Sequence, residues 1–411
     1  MTSDADAVVI GSGALGASTA YYLAERNRRV VLLDKFDLAS QSSARAAGLA
    51  QQVQVDDVLA NLAIRGIQTL THFEQETGVP LDVVVNGSVK LARTEEDAAQ
   101  LEEEVRRGKN LGVEIDFASA TQAKQAAPWA NPDKALALSH CTTDTYIESP
   151  GTLPQAFIRG VLERGGEALA HTPVTDVVLD NDSVVAVTTP SGSIETPVVV
   201  DAAGAWARMI GDLVGRVIPL WPVRAQLFIT EPLAEVEERH ATVRVMDAKV
   251  YVRPAGGGLL FGAYEPDPVD IDTREQGDDF QIGDLSLDIG PLRRVIPSVR
   301  EEFPLLEDAG VAEFRGGLPT MTPDGYFLVD RMPGVEGFFM ATGCNVGGLS
   351  ISPPLGDDLA GWIVSGGERP ESLTPLRVNR FDDQFANDEE LREACLSTYV
   401  HKYDEEEVQA R

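Results

Sequence analysis

Ala7-Val8-Val9-Ile10-Gly11-Ser12-Gly13-Ala14-Leu15-Gly16, with the helix-forming run to Arg26 and Val30-Val31-Leu32-Leu33-Asp34 behind it, decides the fold. Ala7 to Ile10 reads as a buried strand, Ala14 to Arg26 as a helix and Arg29 to Leu33 as a second strand, a βαβ unit with a phosphate loop at its first turn. Gly11 permits the tight turn, Gly13 lets the backbone approach a pyrophosphate, and Gly16, like Ala20, lets helix and strand pack closely. An anion in the loop meets free N–H groups at the positive end of the helix. Asp34 ends the second strand, where its carboxylate accepts from adenosine ribose hydroxyls and repels a 2′-phosphate. The unit therefore suits NAD or FAD rather than NADP, the alternative being a glycine-rich turn without a ligand.

The 411 residues, 43% of them hydrophobic, suffice for two packed domains with a large core. Lys and Arg number 34 against 65 Asp and Glu, a net charge of −31, which argues against a nucleic-acid or anionic-membrane partner and fits a soluble protein or a salty habitat. Cys141, Cys344 and Cys395 are odd in number and far apart, which speaks against a disulfide framework or a zinc site and for reduced thiols in a cytoplasmic protein. Met1 to Asp6 carries no basic, apolar targeting segment, and no apolar run approaches a membrane span.

Asp56-Asp57 is expected to cap a helix running to Thr77. Before it, Ala39 to Gly48 is a stretch of small residues whose accessible backbone lets a ring system lie close. Val83 to Ala92 reads as a hairpin about Asn86-Gly87, and with the charged helix from Glu95 it breaks the βαβ rhythm, as the first piece of an inserted domain. Strands follow at Val174 to Leu179, Val184 to Thr189 and Ser193 to Val200; from Val217 to about Leu306 the pattern is antiparallel, the second inserted piece. Pro353-Pro354 is expected to open a late helix. The fold class is α/β: residues 1–80, 141–216 and 312–366 form a Rossmann-like domain, 81–140 and 217–311 an α+β antiparallel-sheet substrate domain, and 367–411 an acidic, solvated tail without chemistry.

Three separated segments resemble the flavin-binding blocks of the D-amino-acid oxidase superfamily: the Gly11/Gly13/Gly16 unit, Val200 to Trp206, and Phe339-Met340-Ala341-Thr342-Gly343 to Pro353-Pro354-Leu355-Gly356. Tyr251-Val252-Arg253-Pro254, Gly258 to Glu265 and Thr322-Pro323-Asp324-Gly325 resemble its sarcosine and dimethylglycine dehydrogenase branch, and the likeness spans residues 5–380. The resemblance implies FAD in a glutathione-reductase-like fold. Its adenosine-diphosphate end would lie at Gly11, Ser12, Gly13, Ala14, Leu15, Gly16, Asp34 and Lys35, with further contacts from Ser42, Ser43, Arg45, Ala46, Gly48, Leu49, Val174, Ala202, Ala203, Gly204 and Trp206. Its flavin end would lie at Gly343, Asn345, Val346, Gly347, Gly348, Leu349 and Ser350, with the late helix aimed at the N1–C2 carbonyl, where charge develops on reduction.

The departures from the family pattern also speak. Gly317 stands where sarcosine oxidases carry a flavin-linking cysteine, and Arg45 where dimethylglycine dehydrogenases carry a linking histidine, so non-covalent FAD is expected. Leu260 replaces the lysine with which sarcosine oxidases activate oxygen. Ser350 and Pro319 replace the lysine and the arginine with which relatives hold a substrate carboxylate. The folate-binding half of dimethylglycine dehydrogenases has no counterpart in 411 residues, so a formaldehyde-level product would be released.

In this family the flavin N5 takes a hydride from the carbon beside an amine nitrogen and the imine hydrolyses, while the protein supplies orientation and electrostatics. Period-two alternation puts Lys249, Tyr251 and Arg253 on one strand face. Either that face is solvated, or it looks at the flavin, with Tyr251 positioning the amine and Arg253 pairing with an anionic substrate group; Arg315 is a second arginine candidate. His72, His140, His171, His240 and His401 lie in no motif, and no metal-ligand spacing is present. The function expected is oxidation of a C–N bond in a small secondary or tertiary amine or amino-acid-like compound, with O2 or an electron carrier as acceptor and the oligomeric state open. Two alternatives stand: 2-hydroxy-acid oxidation, and a flavin-holding subunit whose substrate site lies on a partner chain.

Overall fold

The computed structural model describes residues 4–381, 384–385 and 387–402. Ala7–Ile10 is an inner strand of a six-stranded sheet, in the order Leu328–Arg331, Phe338–Thr342, Val199–Asp201, Ala7–Ile10, Val30–Leu33, Glu167–Leu169. Neighbours run parallel except at the Leu328–Arg331 edge. Every residue of the first two strands is buried, because both sheet faces are covered. One face packs the helices Ala14–Glu25, Asp57–Thr77, Thr152–Glu163 and Gly348–Ser365 into a single apolar cluster that includes Leu23, Phe73, Phe157 and Leu355. The other face meets the helix Ala207–Leu213 and a small sheet of Asp176–Asp180, Ser183–Thr189 and Gly192–Glu195. The strand expected at Ser193 to Val200 thus splits, its first part finishing the small sheet and its second entering the large one.

The second domain is built on an eight-stranded sheet ordered Val311–Gly317, Ala225–Thr230, Gly258–Ala263, Val250–Ala255, Thr242–Val245, Ser88–Ala92, Ala137–Cys141, Ile115–Phe117. It differs from expectation in two places. The hairpin about Asn86-Gly87 does not form: Val83–Val85 pairs with Thr145–Ile147, while Ser88–Ala92 runs parallel to Thr242–Val245. The Asn86 side-chain amide donates to the His240 carbonyl and the Thr242 hydroxyl, tying the turn to that other strand. Residues 312–317, assigned from sequence to the nucleotide domain, belong to the strand Val311–Gly317, which pairs with Ala225–Thr230 and forms the edge of the substrate sheet.

Two further expectations are corrected. The late helix begins at Gly348, with Pro353 and Pro354 inside it. Pro354 has no N–H for the Ser350 carbonyl, and that oxygen abuts Gly66 of the Asp57–Thr77 helix, where a Cβ would lie 1.7 Å away. The C-terminal segment is docked rather than solvated: in the helix Asp388–Val400, Leu391, Cys395 and Tyr399 pack on Trp221, Val223 and Met321. Arg208 and Arg274 both pair with Asp388, and Arg392 with Asp270. The acidic run 403–411 lies outside the described residues. Among those described, no helix is long and apolar enough to cross a membrane, and no group of His, Cys, Asp and Glu is arranged to hold a metal ion.

Candidate active site

At the nucleotide end, Gly11 has φ +100°, and a Cβ there would lie 2.4 Å from the Ala202 carbonyl oxygen, so the two strand ends meet only through glycine. The helix that follows has Gly13 as N-cap and no side-chain cap. The Ser43 hydroxyl accepts from the Ala14 N–H at 3.0 Å, bringing the 42–49 segment against the phosphate loop. Ser12 donates its N–H (2.8 Å) and its hydroxyl to one Asp34 oxygen, and the Phe36 N–H donates to the other. Burial pushes the Asp34 carboxyl above its ordinary value, against the pull of those hydrogen bonds. The Lys35 ammonium lies over the Phe36 ring, which packs on Trp206. Thr172 donates its N–H to the Asp34 carbonyl, and Val174 follows, partly buried against the second core cluster.

From here a cavity of about 1850 Å³, its open mouth included, runs past the flavin-end residues and out over the second sheet. Of the residues expected to hold the cofactor, Gly13, Ala14, Leu15, Ser42, Ser43, Arg45, Ala46, Gly48, Leu49, Ala202, Gly204 and Asn345 through Ser350 line it. Gly11, Ser12, Gly16, Asp34, Lys35, Val174, Ala203, Trp206 and Gly343 do not line it and form its supports or flank it. The buried Asn345 amide donates to the Gly343 carbonyl at 2.7 Å and accepts from the Thr322 N–H at 3.0 Å, locking the loop to the Thr322–Gly325 turn. Asn345 and Val346 take left-handed conformations (φ +42° and +60°), strain of the kind stored at working sites. The helix starting at Gly348 has Gly347 as N-cap and no side-chain cap, so its positive end opens on the cavity.

This lining fits a flavin dinucleotide. Arg45 keeps a buried Nε–H without an acceptor among the described residues, suited to an acceptor-rich group in the cavity. A Cβ at Gly317 would have no neighbour closer than 3.8 Å, leaving room for a flat ring. Cys344, which the sequence reading left without a role, also lines the cavity.

At the substrate end, a cross-strand row runs Leu227, Gly262, Tyr251, Arg244, Lys90. Tyr251 lies flat across Gly262, where a Cβ would sit 2.1 Å from the tyrosine Cζ. The Arg244 guanidinium is 5.8 Å from the Tyr251 ring centroid. Lys90 forms a largely buried ion pair with Glu104, which Gln100 also contacts. Tyr264, Tyr399 and Lys402 also line the cavity, so the docked C-terminal helix takes part in the site. Sequence reasoning missed Lys90 and Arg244, although each is the polar member of an apolar strand, between Val89 and Leu91 and between Val243 and Val245.

The two arginines chosen from sequence are placed elsewhere. Arg253 is fully buried and does not line the cavity; it donates to the Ala47 carbonyl at 2.7 Å, the Pro254 carbonyl at 2.6 Å and Glu148 at 2.8 Å, and stacks 4.3 Å from the Tyr146 centroid. Its donors hold the 46–48 loop in place, which excludes a direct grip on substrate. Arg315 donates to the Ala46 carbonyl and to Glu313 and faces a separate cleft beside Glu148 and Pro150. None of the five histidines lines the main cavity.

A family model described as "FAD dependent oxidoreductase" matches residues 6–362. The chain belongs to this family. It is 30% identical to the mitochondrial sarcosine dehydrogenase of Mus musculus, over 98% of this chain and 44% of that protein. It is also 30% identical to the mitochondrial dimethylglycine dehydrogenase of Rattus norvegicus, over 92% of this chain and 45% of that one. The chain thus spans under half the length of these relatives. Among solved structures, L-proline dehydrogenase from P. horikoshii superposes with a TM-score of 0.83, at 23% identity, covering 94% of this chain and 100% of that one, and so shares the fold. As in other FAD-dependent oxidoreductases, the cofactor is FAD, and one continuous cavity runs from the phosphate loop to the 345–350 segment.

Proposed function

We propose that this chain holds FAD without a covalent link and oxidises a C–N bond of a small secondary or tertiary amine, N-methylated or N-alkylated. The observation that carries the reading is the single cavity joining two helix N-termini, each with a glycine at its N-cap, to the Tyr251–Arg244 face of the second sheet. When bound, FAD supplies the electron sink for a hydride leaving the carbon beside nitrogen. The chain does the rest: Tyr251, pressed on Gly262, orients the amine, the Gly348 and Leu349 N–H groups at the helix start favour negative charge on the ring side they face, and Leu227, Leu349 and Phe327 keep water away. The names of the relatives, sarcosine and dimethylglycine dehydrogenase, support the amine class. Leu260, buried with Leu227 and Ala255, puts no cation where sarcosine oxidases place theirs, and we assign an electron carrier ahead of O2 as acceptor.

The test is spectroscopic. A yellow protein whose colour stays in solution after acid precipitation is expected; a coloured pellet would reject the non-covalent assignment and point to Cys344. Under anaerobic conditions, N-methyl amines should bleach the flavin band and 2-hydroxy acids should not. The reverse pattern overturns the amine reading.

A further inference from the structure

Part of the cavity wall is polar in a way that the amine chemistry does not use: Gln51, Gln54, Lys90, Gln100 and Glu104. Three elements bring these side chains together. Lys90 lies on the strand Ser88–Ala92, and Gln100 and Glu104 lie one turn apart on the helix Glu95–Asn110, which packs against that strand. The 51–54 loop is tied to both. Gln52 donates its N–H to Asp144 at 2.9 Å, Asp144 also accepts from the Ser88 hydroxyl at 2.6 Å, and Arg107 of the helix donates to the Gln54 carbonyl at 2.9 Å.

This wall offers hydrogen bonds of both kinds and no net charge. The Lys90 ammonium and the Glu104 carboxylate, their side chains 13% and 9% exposed, neutralise one another, and the Gln100 amide donates to Glu104. The Gln54 amide donates to the Gln51 carbonyl at 2.6 Å. Gln51 is 8% exposed, and its buried Nε2 has no acceptor among the described residues. A buried amide donor left open on a cavity wall costs free energy until an acceptor reaches it.

We propose that the site takes an amine whose nitrogen carries a neutral, hydroxyl-bearing arm, and that Gln51 is the specificity residue that reads this arm. The inference rests on the amine reading above and names its substrate class. Glu104 disfavours a carboxylate on the arm and Lys90 an ammonium, whereas a hydroxyl both donates and accepts, and so meets the open Gln51 N–H and the neighbouring acceptors without adding charge. An apolar arm would cover these groups and leave them unpaired. From Tyr251 to Lys90 the sheet row runs two strand spacings, about 9.5 Å. An extended six-carbon polyol spans about 9 Å from nitrogen to last oxygen, with bonds of about 1.5 Å at tetrahedral angles. Such an arm reaches the wall while Tyr251 holds the amine.

The test uses the FAD-loaded full-length protein and three amines with six-carbon arms: hydroxylated N-methyl-D-glucamine, apolar N-methylhexylamine and anionic 6-(methylamino)hexanoate. Anaerobic flavin reduction gives an apparent Kd for each, and calorimetry measures binding of the unreactive thioether 1-S-methyl-1-thio-D-glucitol. In the wild type, N-methyl-D-glucamine should show an apparent Kd roughly tenfold below those of the other two. Gln51→Leu should cut that ratio to about threefold or less and weaken the thioether, while Gln51→Asn, which keeps the amide, restores part of both. Gln100→Leu, at a half-buried helix position, should shift the ratio in the same direction. Preference for the apolar or the anionic arm, or a ratio unchanged in both leucine variants, overturns the proposal and leaves amine oxidation standing. Reduction by no amine, with 2-hydroxy acids active, overturns both.

Discussion

Tyr251 and Gly262 work as a pair, because the ring occupies the space a side chain at 262 would need. In Gly262→Ala the new methyl displaces the ring, so kcat/KM should fall at least tenfold while the FAD content of the purified protein stays unchanged; an unaltered kcat/KM would show that the ring does not orient substrate. Arg253 makes the opposite point. From the alternation of its strand it looks like a ligand-binding arginine, but period two cannot tell a side chain that reaches a cavity from one that stops short against a loop. Arg253→Ala leaves the Ala47 and Pro254 carbonyls and half-buried Glu148 without their cation, and should cost about 3–5 kcal/mol in denaturant unfolding. Asp201 is fully buried, its Oδ1 accepting from the Ala203 N–H and its Oδ2 unpartnered among the described residues, and burial pushes its carboxyl up to about 8. The folded protein therefore keeps a proton that the unfolded chain releases near pH 4. Between those values stability falls as pH rises, by about 1.4 kcal/mol per unit from this group. Asp201→Asn removes this dependence, so its stability relative to wild type should climb from pH 4 to pH 8 and then level off. A constant difference across that range would contradict the assignment.

Two helices, Ala14–Glu25 and Gly348–Ser365, each present an N-terminus to the cavity, and they are packed against one another. The Ser18 hydroxyl donates to the Leu15 and Ser352 carbonyls, one in each helix. Gly356 makes the approach possible, since a Cβ there would lie 2.5 Å from the Ser18 Oγ and 2.8 Å from the Thr19 nitrogen. Gly356→Ala should spread the pair, costing about 1–3 kcal/mol of stability and weakening FAD at least tenfold, read from the recovery of FAD fluorescence on dilution. Loss of stability with unchanged affinity would mean that the helix ends keep their places independently. The first of these helices is legible in the sequence because its glycines sit at the strand-to-helix turn. The start of the second is not, because Pro353-Pro354 mimics a helix opening while the carbonyl freed by Pro354 is spent on close packing with Gly66. Asn86-Gly87 misleads in the same way: a hairpin signal is local, whereas the partner that captures Asn86 lies beyond residue 239.

At the scale of the whole chain, the Gly11 to Asp34 unit is legible as a short-range pattern, whereas Gly343 to Ser350 is expected only from the family resemblance. The substrate end draws on strands more than 150 residues apart, Lys90 and Arg244 meeting only through the parallel pairing of Ser88–Ala92 with Thr242–Val245. Its last wall comes from the C-terminal helix, whose acidic composition suggested only solvation. Charge is a property of the same scale. With 65 acidic against 34 basic residues, the folded chain carries an excess of 31 negative charges that repel one another in the compact state. Exposed pairs such as Arg106–Glu103 and Arg159–Glu163 offset little of this, because water and salt screen them. Salt screens both effects, its Debye length shrinking from about 30 Å at 0.01 M to about 3 Å at 1 M. Because repulsion is summed over the whole surface and each exposed pair is weak, screening should raise the Tm at pH 7 by several degrees between 0.01 and 1 M NaCl. Near pH 4.4, where the net charge of the sequence vanishes, the same salt should leave the Tm flat or lower it through the loss of ion pairs. Equal increments at the two pH values would trace the salt response to burial of apolar surface instead of to charge.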